Sequence, residues 1–290
     1  MLIVQILPDL RIGGAEFVAV NLANELIKLG HECEFWLFEK KGAFLENLHP
    51  KVTVRSLNCK KIRFFPFKLF FFLRRFSPDN LICHMWPYTS LAALTWTISK
   101  KSAKLTLLEQ VCVSDYLKND FDYPFWALKF FISITHRLAS NVVTISDGTV
   151  NDLSNLINIK KNKIKLIHNP IVNLPLPSIE DRKDLNFRKK VWGSDSKYCL
   201  LSIGTLKPQK NQILLINAFS KIAHELEANL VILGDGSERS KLERRILELN
   251  LQGRIFLPGG KANPYPYLLA CDLFIMSSDY EGLTTIIVQA

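Results

Sequence analysis

The chain has 290 residues, 48% hydrophobic and 22% charged, enough to bury one or two substantial cores and long enough to favour about two domains. Its net charge of +10 is uneven: residues 1–170 hold 22 Lys and Arg against 14 Asp and Glu, a net of +8, and the remainder carries a net of +2. The first half therefore faces something acidic, a phosphate-bearing substrate or an anionic membrane; nucleic acid is set aside because the cations are not interleaved in a recognisable binding module. The six cysteines, at 33, 59, 83, 112, 199 and 271, form no Cys-x-x-Cys pair, so a disulfide frame or zinc site is excluded in favour of buried free thiols in a reducing cytosol.

In chain order, the first predicted element is a strand, Leu2–Leu7, which meets Pro8 too soon for a signal peptide and has no basic leader. A helix over 15–29 follows the pair Gly13-Gly14, and strands are predicted at 33–38 and 52–57. The segment from Lys60 to Phe76 then sets seven phenylalanines among six cations. That composition suits either a helix lying in an anionic membrane interface or a buried crossover helix with a basic rim. Residues 80–99 contain no Asp, Glu, Lys or Arg and are nominally long enough to span a bilayer. Asn80, His84 and Pro87 interrupt the run, and a strand, Asn80–His84, followed by a helix over 88–99 explains it better.

Further strands are predicted at Lys104–Glu109, 141–145 and 164–167, with a helix at Phe125–Leu138. Residues 169–184, with three prolines and mixed charge, read as a linker, giving domains 1–172 and 173–290. The second domain has predicted strands at Tyr198–Ile203, 229–233, 254–257 and 272–276, and a helix over 212–226. This alternation predicts an α/β protein of two doubly wound, Rossmann-like parallel-sheet domains. No solenoid repeat or low-complexity segment interrupts it.

Several strand ends carry chemistry-bearing residues. Gly13 and Gly14 lie between a strand and a helix, where backbone amides and the positive helix end can approach an anion; a tight strand-to-helix turn needs the same residues. Gly-x-Gly-x-x-Gly is absent, so this is not the dinucleotide fingerprint. Lys210 follows the strand Tyr198–Ile203 in the loop Gly204-Thr-Leu-Lys-Pro-Gln-Lys210, where a cation can neutralise a diphosphate; a solvated loop is the alternative. Glu281 and Gly282 follow the strand at 272–276, at the carboxyl end where open sheets bind ligands. His84 ends another strand and is either a satisfied structural histidine or a ligand contact. Glu109, at a further strand end, is a candidate for binding an acceptor or lining the wall of the site. No metal-ligating cluster appears, and neither a metal nor a cofactor is expected.

Taken as an ordered set, Gly13-Gly-Ala-Glu16, His84, Ser146, Asn169-Pro170, Gly204-x-Leu-x-x-x-Lys210, Gly234-Asp-Gly236 and Ser278-x-x-Glu281-Gly282-Leu283 resemble the retaining, nucleotide-sugar-dependent glycosyltransferases of family four. The resemblance covers nearly the whole chain and implies the GT-B fold, with the two domains facing across a cleft. It implies that Gly13, Gly14, Gly204, Thr205, Lys210, Gly282, Leu283 and Gln289 bind the donor and that His84 and Glu281 act on its sugar. Two positions depart from the family pattern: Thr205 stands in place of Arg, and Gln289 in place of a second Glu. Thr lacks the charge and fork of Arg, and Gln has one acceptor oxygen where a carboxylate has two.

The implied activity is transfer of a sugar from a nucleotide diphosphate sugar to a glycan or lipid-linked glycan, with retention, in cell-surface polysaccharide or lipopolysaccharide synthesis. The cysteine usage places the chain in the cytoplasm, and the composition of Lys60 to Phe76 leaves open peripheral contact with the inner face of the membrane or a buried crossover helix. Residues 284–290 open a helix with no stop signal, and the family continues beyond this point, so a truncated product or fragment is expected. A nucleotide-sugar epimerase on the same fold and an inactive relic or nucleotide-sugar-binding protein are the contrasting readings.

Overall fold

The computed structural model describes residues 1–99, 103–119, 121–170, 185–193, 197–223 and 225–289. Two compact units divide the chain: Met1–Pro170 with Glu281–Thr284, and 171–280 with 285–290. Most of the expected linker, 171–184, lies outside the described residues.

Seven parallel strands are described in the first unit: β1 (Leu2–Leu7), β2 (Glu32–Leu37), β3 (Thr53–Ser56), β4 (Asn80–His84), β5 (Lys104–Glu109), β6 (Asn141–Thr144) and β7 (Ile164–Leu166), in the order β3-β2-β1-β4-β5-β6-β7. A parallel sheet is covered on both faces, so its strands are apolar on both. In β1, Val4 and Ile6 join one core with Trp36, Leu81 and Leu105. Leu7 joins the other with Phe35 and Leu37, against Ala19, Val20 and Ala23 of α1 (Gly14–Lys28). The remaining helices are α2 (Phe65–Phe76), α3 (Tyr88–Ile98), α4 (Val113–Asn119), α5 (Phe125–Leu138) and α6 (Asp147–Ile157).

Helix α2 resolves the segment from Lys60 to Phe76 into two faces. Phe65, Leu69 and Leu73, four residues apart, are buried in the core beside Trp36, each contributing about 1.5–3 kcal/mol. Phe67 and Phe71 are exposed on the same helix. It is thus a crossover helix whose other side is open. The uncharged run 80–99 is a strand and a helix, and no described helix is long and apolar enough to cross a membrane.

The second unit has β8 (Tyr198–Ile203), β9 (Ala228–Leu233), β10 (Ile255–Phe256) and β11 (Leu273–Phe274), parallel in the order β10-β9-β8-β11 among the described residues. Its helices are α7 (Leu185–Trp192), α8 (Gln212–Ile222), α9 (Arg239–Glu248), α10 (Tyr265–Ala270) and α11 (Thr285–Gln289). Strand β9 is buried throughout, between Leu206, Ile216, Phe219 and Leu242 on one side and Trp192, Cys199 and Leu201 on the other. β11 is shorter than its apolar run predicts. Asp272, at its head, turns its carboxylate to the Cys199 amide at 2.7 Å and to Arg188.

In each unit the strand order reverses direction at one place, between β1 and β4 and between β8 and β11. Open α/β sheets bind ligands outside the carboxyl ends of the strands at such a switch point. All the strand-end residues singled out from the sequence lie at the carboxyl ends of these two sheets.

Candidate functional site

In the first unit, the loop after β1 starts with Asp9, a buried carboxylate that accepts hydrogen bonds from the Arg11 amide at 3.1 Å and Arg11 Nε at 3.0 Å. The pairing raises the pKa of the exposed Arg11 guanidinium above its usual value. Gly13 follows in extended conformation and precedes the first turn of α1. The Glu16 carboxylate lies over Gly13, close enough that a Cβ on Gly13 would overlap it. Negative charge therefore already sits at this helix end, where an incoming anion would have to compete with it.

At the end of β4, His84 is completely enclosed. Its Nε2 is 2.9 Å from Gln5 Oε1, and its Nδ1 is 3.3 Å from Gln110 Nε2. Gln5 donates its own Nε2–H to the Ala19 carbonyl at 2.9 Å, which fixes its Oε1 as the acceptor. The His84 tautomer follows: Nε2 carries the proton and donates to Gln5, and Nδ1 accepts from Gln110. Burial lowers the His84 pKa to about 3, so the ring is neutral at physiological pH. This corrects the expectation of a sugar-contacting histidine, because neither ring nitrogen is left for a ligand.

Glu109, at the end of β5, is equally buried. Its Oε2 accepts from the Trp86 amide at 3.1 Å; its Oε1 accepts from Thr89 Oγ1 at 2.6 Å and lies 2.9 Å from His136 Nε2. The expectation of an acceptor contact is corrected here too. The carboxylate is spent on holding the turn after β4 to α3 and α5.

Residues Glu281–Thr284 belong to this first unit and seat across the ends of β5 and β6. Cys112 Sγ donates to the Glu281 carbonyl at 3.2 Å, and Ser146 Oγ donates to the Gly282 carbonyl at 3.1 Å. Ser146 also caps α6 by accepting from the Thr149 amide. A Cβ at Gly282 would overlap the Gln110 carbonyl oxygen, so only glycine permits this approach. Leu283 packs against the cluster of Leu108, Val143 and Ile145. Its side chain is thus structural, and its backbone is what remains for a ligand. The Glu281 side chain is half-buried.

In the second unit the switch point is built of loops. Gly204 donates to the Leu233 carbonyl at 2.9 Å and Leu206 to the Asp235 carbonyl at 3.0 Å, binding the loop after β8 to the loop after β9. Gly234 has φ of +151°, and a Cβ there would overlap the Gly204 carbonyl oxygen. The two loops meet backbone to backbone. The methylene stem of Lys210 passes beside Gly204, 3.4 Å from where a side chain would begin.

Four hydrogen bonds join the Lys210 loop to the segment after β11. Ser277 Oγ donates to the Lys210 carbonyl at 2.9 Å, and the Asp279 amide to the Gln209 carbonyl at 2.9 Å. Asn211 Nδ2 donates to Asp279 Oδ1 at 2.8 Å, and Gln209 Nε2 to the Tyr280 carbonyl at 2.9 Å. Thr205 is half-buried in the same loop, and its carbonyl accepts from Gln212 Nε2 at 3.2 Å. Lys210, Thr205, Gly204 and Gly234 thus form one cluster where backbone and a cation meet at the strand ends. Gln289 lies in α11, and its side chain is outside the described residues. Among the described residues, no group of three or more His, Cys, Asp or Glu gathers at metal-binding distance.

Gln5, Gln110, Ser277 and Asp279 were missed by the sequence reading. Gln5 had a signal: a lone amide in an otherwise apolar strand. The others are ordinary loop residues whose partners are fixed by the fold.

Residues 12–172 match the family described as Glycosyltransferase Family 4, and residues 183–290 match that described as Glycosyl transferases group 1. The chain is 31% identical over 177 residues to an N-acetylgalactosamine-N,N'-diacetylbacillosaminyl-diphospho-undecaprenol 4-alpha-N-acetylgalactosaminyltransferase of Campylobacter jejuni; the match covers 60% of this chain and 44% of that protein. It is 27% identical to the N-acetyl-alpha-D-glucosaminyl L-malate synthase of Bacillus anthracis, over 96% of this chain and 73% of the other. Among solved structures, Anabaena HepE in complex with UDP and glucose aligns with a TM-score of 0.75 at 22% identity, covering 100% of this chain and 78% of HepE. WaaG, a glycosyltransferase involved in lipopolysaccharide biosynthesis, aligns with a TM-score of 0.76 at 14% identity, covering 99% and 78%.

Proposed function

Because the chain belongs to glycosyltransferase family 4 and has the GT-B fold, we propose that it transfers a sugar, with retention, from a nucleoside diphosphate sugar to a glycan or lipid-linked glycan acceptor. The observation that carries the reading is the cluster at the β8/β11 switch point. There Lys210, its stem beside Gly204, sits in a loop tied to the segment after β11. A cation held there offsets the charge that develops on a departing diphosphate; one charge-assisted hydrogen bond of this kind is worth about 1.5–3 kcal/mol. Gly204 and Gly234 let the two loops close on each other beside the Lys210 stem, and Thr205 adds a hydroxyl donor in place of a guanidinium.

The Glu281 carboxylate accepts from sugar hydroxyls, with the Gly282 and Leu283 backbone beside it, while Gln289 accepts one hydroxyl of the nucleoside ribose. The amides of Gly13 and Gly14 take a lesser part in anion binding, because Glu16 already answers the helix end. His84 holds Gln110 in place without touching the donor. Cell-surface glycan synthesis and UDP as the nucleotide are supported by the relatives. The C. jejuni protein is named for a diphospho-undecaprenol acceptor, and HepE is solved with UDP and with UDP-glucose.

The test is calorimetry on the parent and Lys210→Ala with UDP, GDP and TDP, each beside its nucleoside. The reading predicts a loss of about 10- to 150-fold for the preferred diphosphate, the equivalent of about 1.5–3 kcal/mol, with nucleoside affinity unchanged. Equal losses for diphosphate and nucleoside would remove Lys210 from the phosphate site.

A further inference from the structure

We infer that the side of the first unit formed by α2, α3 and α5 is a membrane-docking face that seats in the interface of an anionic phospholipid bilayer, with the α5 aromatic stripe as its main inserting element. Helix α3 is packed between α2 and α5, so the three make one continuous layer on the sheet. Trp126, Phe130 and Ile134, at a spacing of four residues, form a single stripe along α5 and are 74%, 66% and 43% exposed. On α3, Leu94 and Ile98 are exposed at the same spacing. On α2, Phe67 and Phe71 are exposed and stack edge to face at 4.8 Å, with Phe64 exposed in the turn before them.

Every exposed Phe and Trp among the described residues belongs to this layer or to the turn leading into it. A scatter of single apolar side chains is ordinary on a protein surface; the concentration of exposed phenylalanine and tryptophan on one layer is not.

Charge selects the occupant. The three helices contain no Asp or Glu. Exposed Lys68, Arg74, Arg75 and Lys129 stand among the rings, preceded by exposed Lys60, Lys61 and Arg63. Arg63 and Arg74 lie over the rings of Phe64 and Phe70 at 5.1 and 5.5 Å, so cation and ring form one amphipathic surface. A lysine-rich rim is unlike the core of a protein interface, where lysine is depleted. Bulky rings beneath a belt of cations, with no carboxylate on the three helices and, among the described residues, only Asp79 and Asp122 exposed in the turns beside them, match a bilayer interface carrying anionic headgroups. The inference deepens the proposed function, on which the lipid-linked acceptor rests, since it brings the enzyme to the surface where such an acceptor lies.

The probe is vesicles of phosphatidylglycerol and phosphatidylcholine at about three to seven, against phosphatidylcholine alone, with binding read by co-sedimentation. Of the five tryptophans in the chain, Trp126 is exposed and the other four are buried, so its quenching by brominated lipid reports insertion at α5 directly. The parent should bind the anionic vesicles, lose Trp126 emission to brominated lipid and release as salt rises from about 0.05 to 0.5 M, as the Debye length shortens.

Trp126→Ser with Phe130→Ser should weaken binding at least about tenfold with an unchanged circular dichroism spectrum, and Phe67→Ser with Phe71→Ser should weaken it as well. Three results would overturn the inference: no binding by the parent, binding by the α5 variant equal to the parent, or a parent dimer in sedimentation that the α5 variant abolishes. Nucleotide-sugar binding is measured on the same preparations. A parent that binds vesicles but no nucleotide sugar refutes the proposed function and leaves the docking face standing; the reverse result refutes the docking face alone.

Discussion

The two sheets reverse strand order in the same way, β3-β2-β1-β4 in the first unit and β10-β9-β8-β11 in the second, yet their switch points are made of opposite materials. At β1/β4 the polar groups are buried and spent on one another: Gln5, His84, Gln110 and Glu109 give their hydrogen-bonding capacity to neighbours. At β8/β11 the structure is backbone, glycine and the half-exposed Lys210. The same topology thus carries a buried polar wall in one unit and, in the other, the loop cluster proposed above as a cradle for a diphosphate. A strand-end polar residue whose hydrogen-bonding groups are spent on buried neighbours, as at His84 and Glu109, has none left to offer a ligand.

The wall and the cradle should fail differently when mutated. The largest effect is expected at Glu109, where Glu109→Leu strands the Trp86 amide, the Thr89 hydroxyl and His136 without their acceptor. Unfolding by denaturant should show a loss of about 3–5 kcal/mol, with partial rescue by Glu109→Gln. A loss below about 1 kcal/mol would mean the buried network is not supporting the wall. Lys210→Ala, by contrast, should leave the thermal midpoint near the parent value while weakening diphosphate binding.

A smaller effect is expected from His84 as pH falls. Its folded pKa, about 3, lies below its ordinary 6.5, so above 6.5 both folded and unfolded states are neutral and His84 gives no pH dependence. Between 6.5 and 3 the unfolded chain takes up a proton that the folded ring refuses. Stability then falls by about 1.4 kcal/mol per pH unit, or about 2 kcal/mol by pH 5. His84→Gln should remove that increment, and the check is the stability difference between parent and variant at pH 7 and pH 5. An unchanged difference would show that the ring is not sealed.

Much of this was legible in the sequence. β1, β4, β5 and β8 occupy the residues that their apolar runs predict, because strands buried on both faces announce themselves without reference to partners. β10 and β11 are shorter than predicted, since an apolar run does not say where pairing stops. Lys210, Gly204 and Gly282 could be singled out because a glycine or a cation after a strand carries a local meaning. The fate of His84 and Glu109 was not readable. It depends on Gln5, 79 residues from His84, and on His136, 27 residues from Glu109. Helix α2 was ambiguous because it does both jobs: Phe65, Leu69 and Leu73 enter the core while Phe67 and Phe71 remain outside.

The central claim is that the β8/β11 switch point holds the diphosphate of the donor. Amide chemical shifts of the labelled chain, followed while UDP is added, test it most directly. The account predicts that the largest changes fall on Gly204, Thr205, Leu206, Lys210 and Gly234–Gly236, and that uridine reproduces only a part of them. Changes confined to the loop after β1 and the start of α1, with residues 204–210 silent, would contradict it.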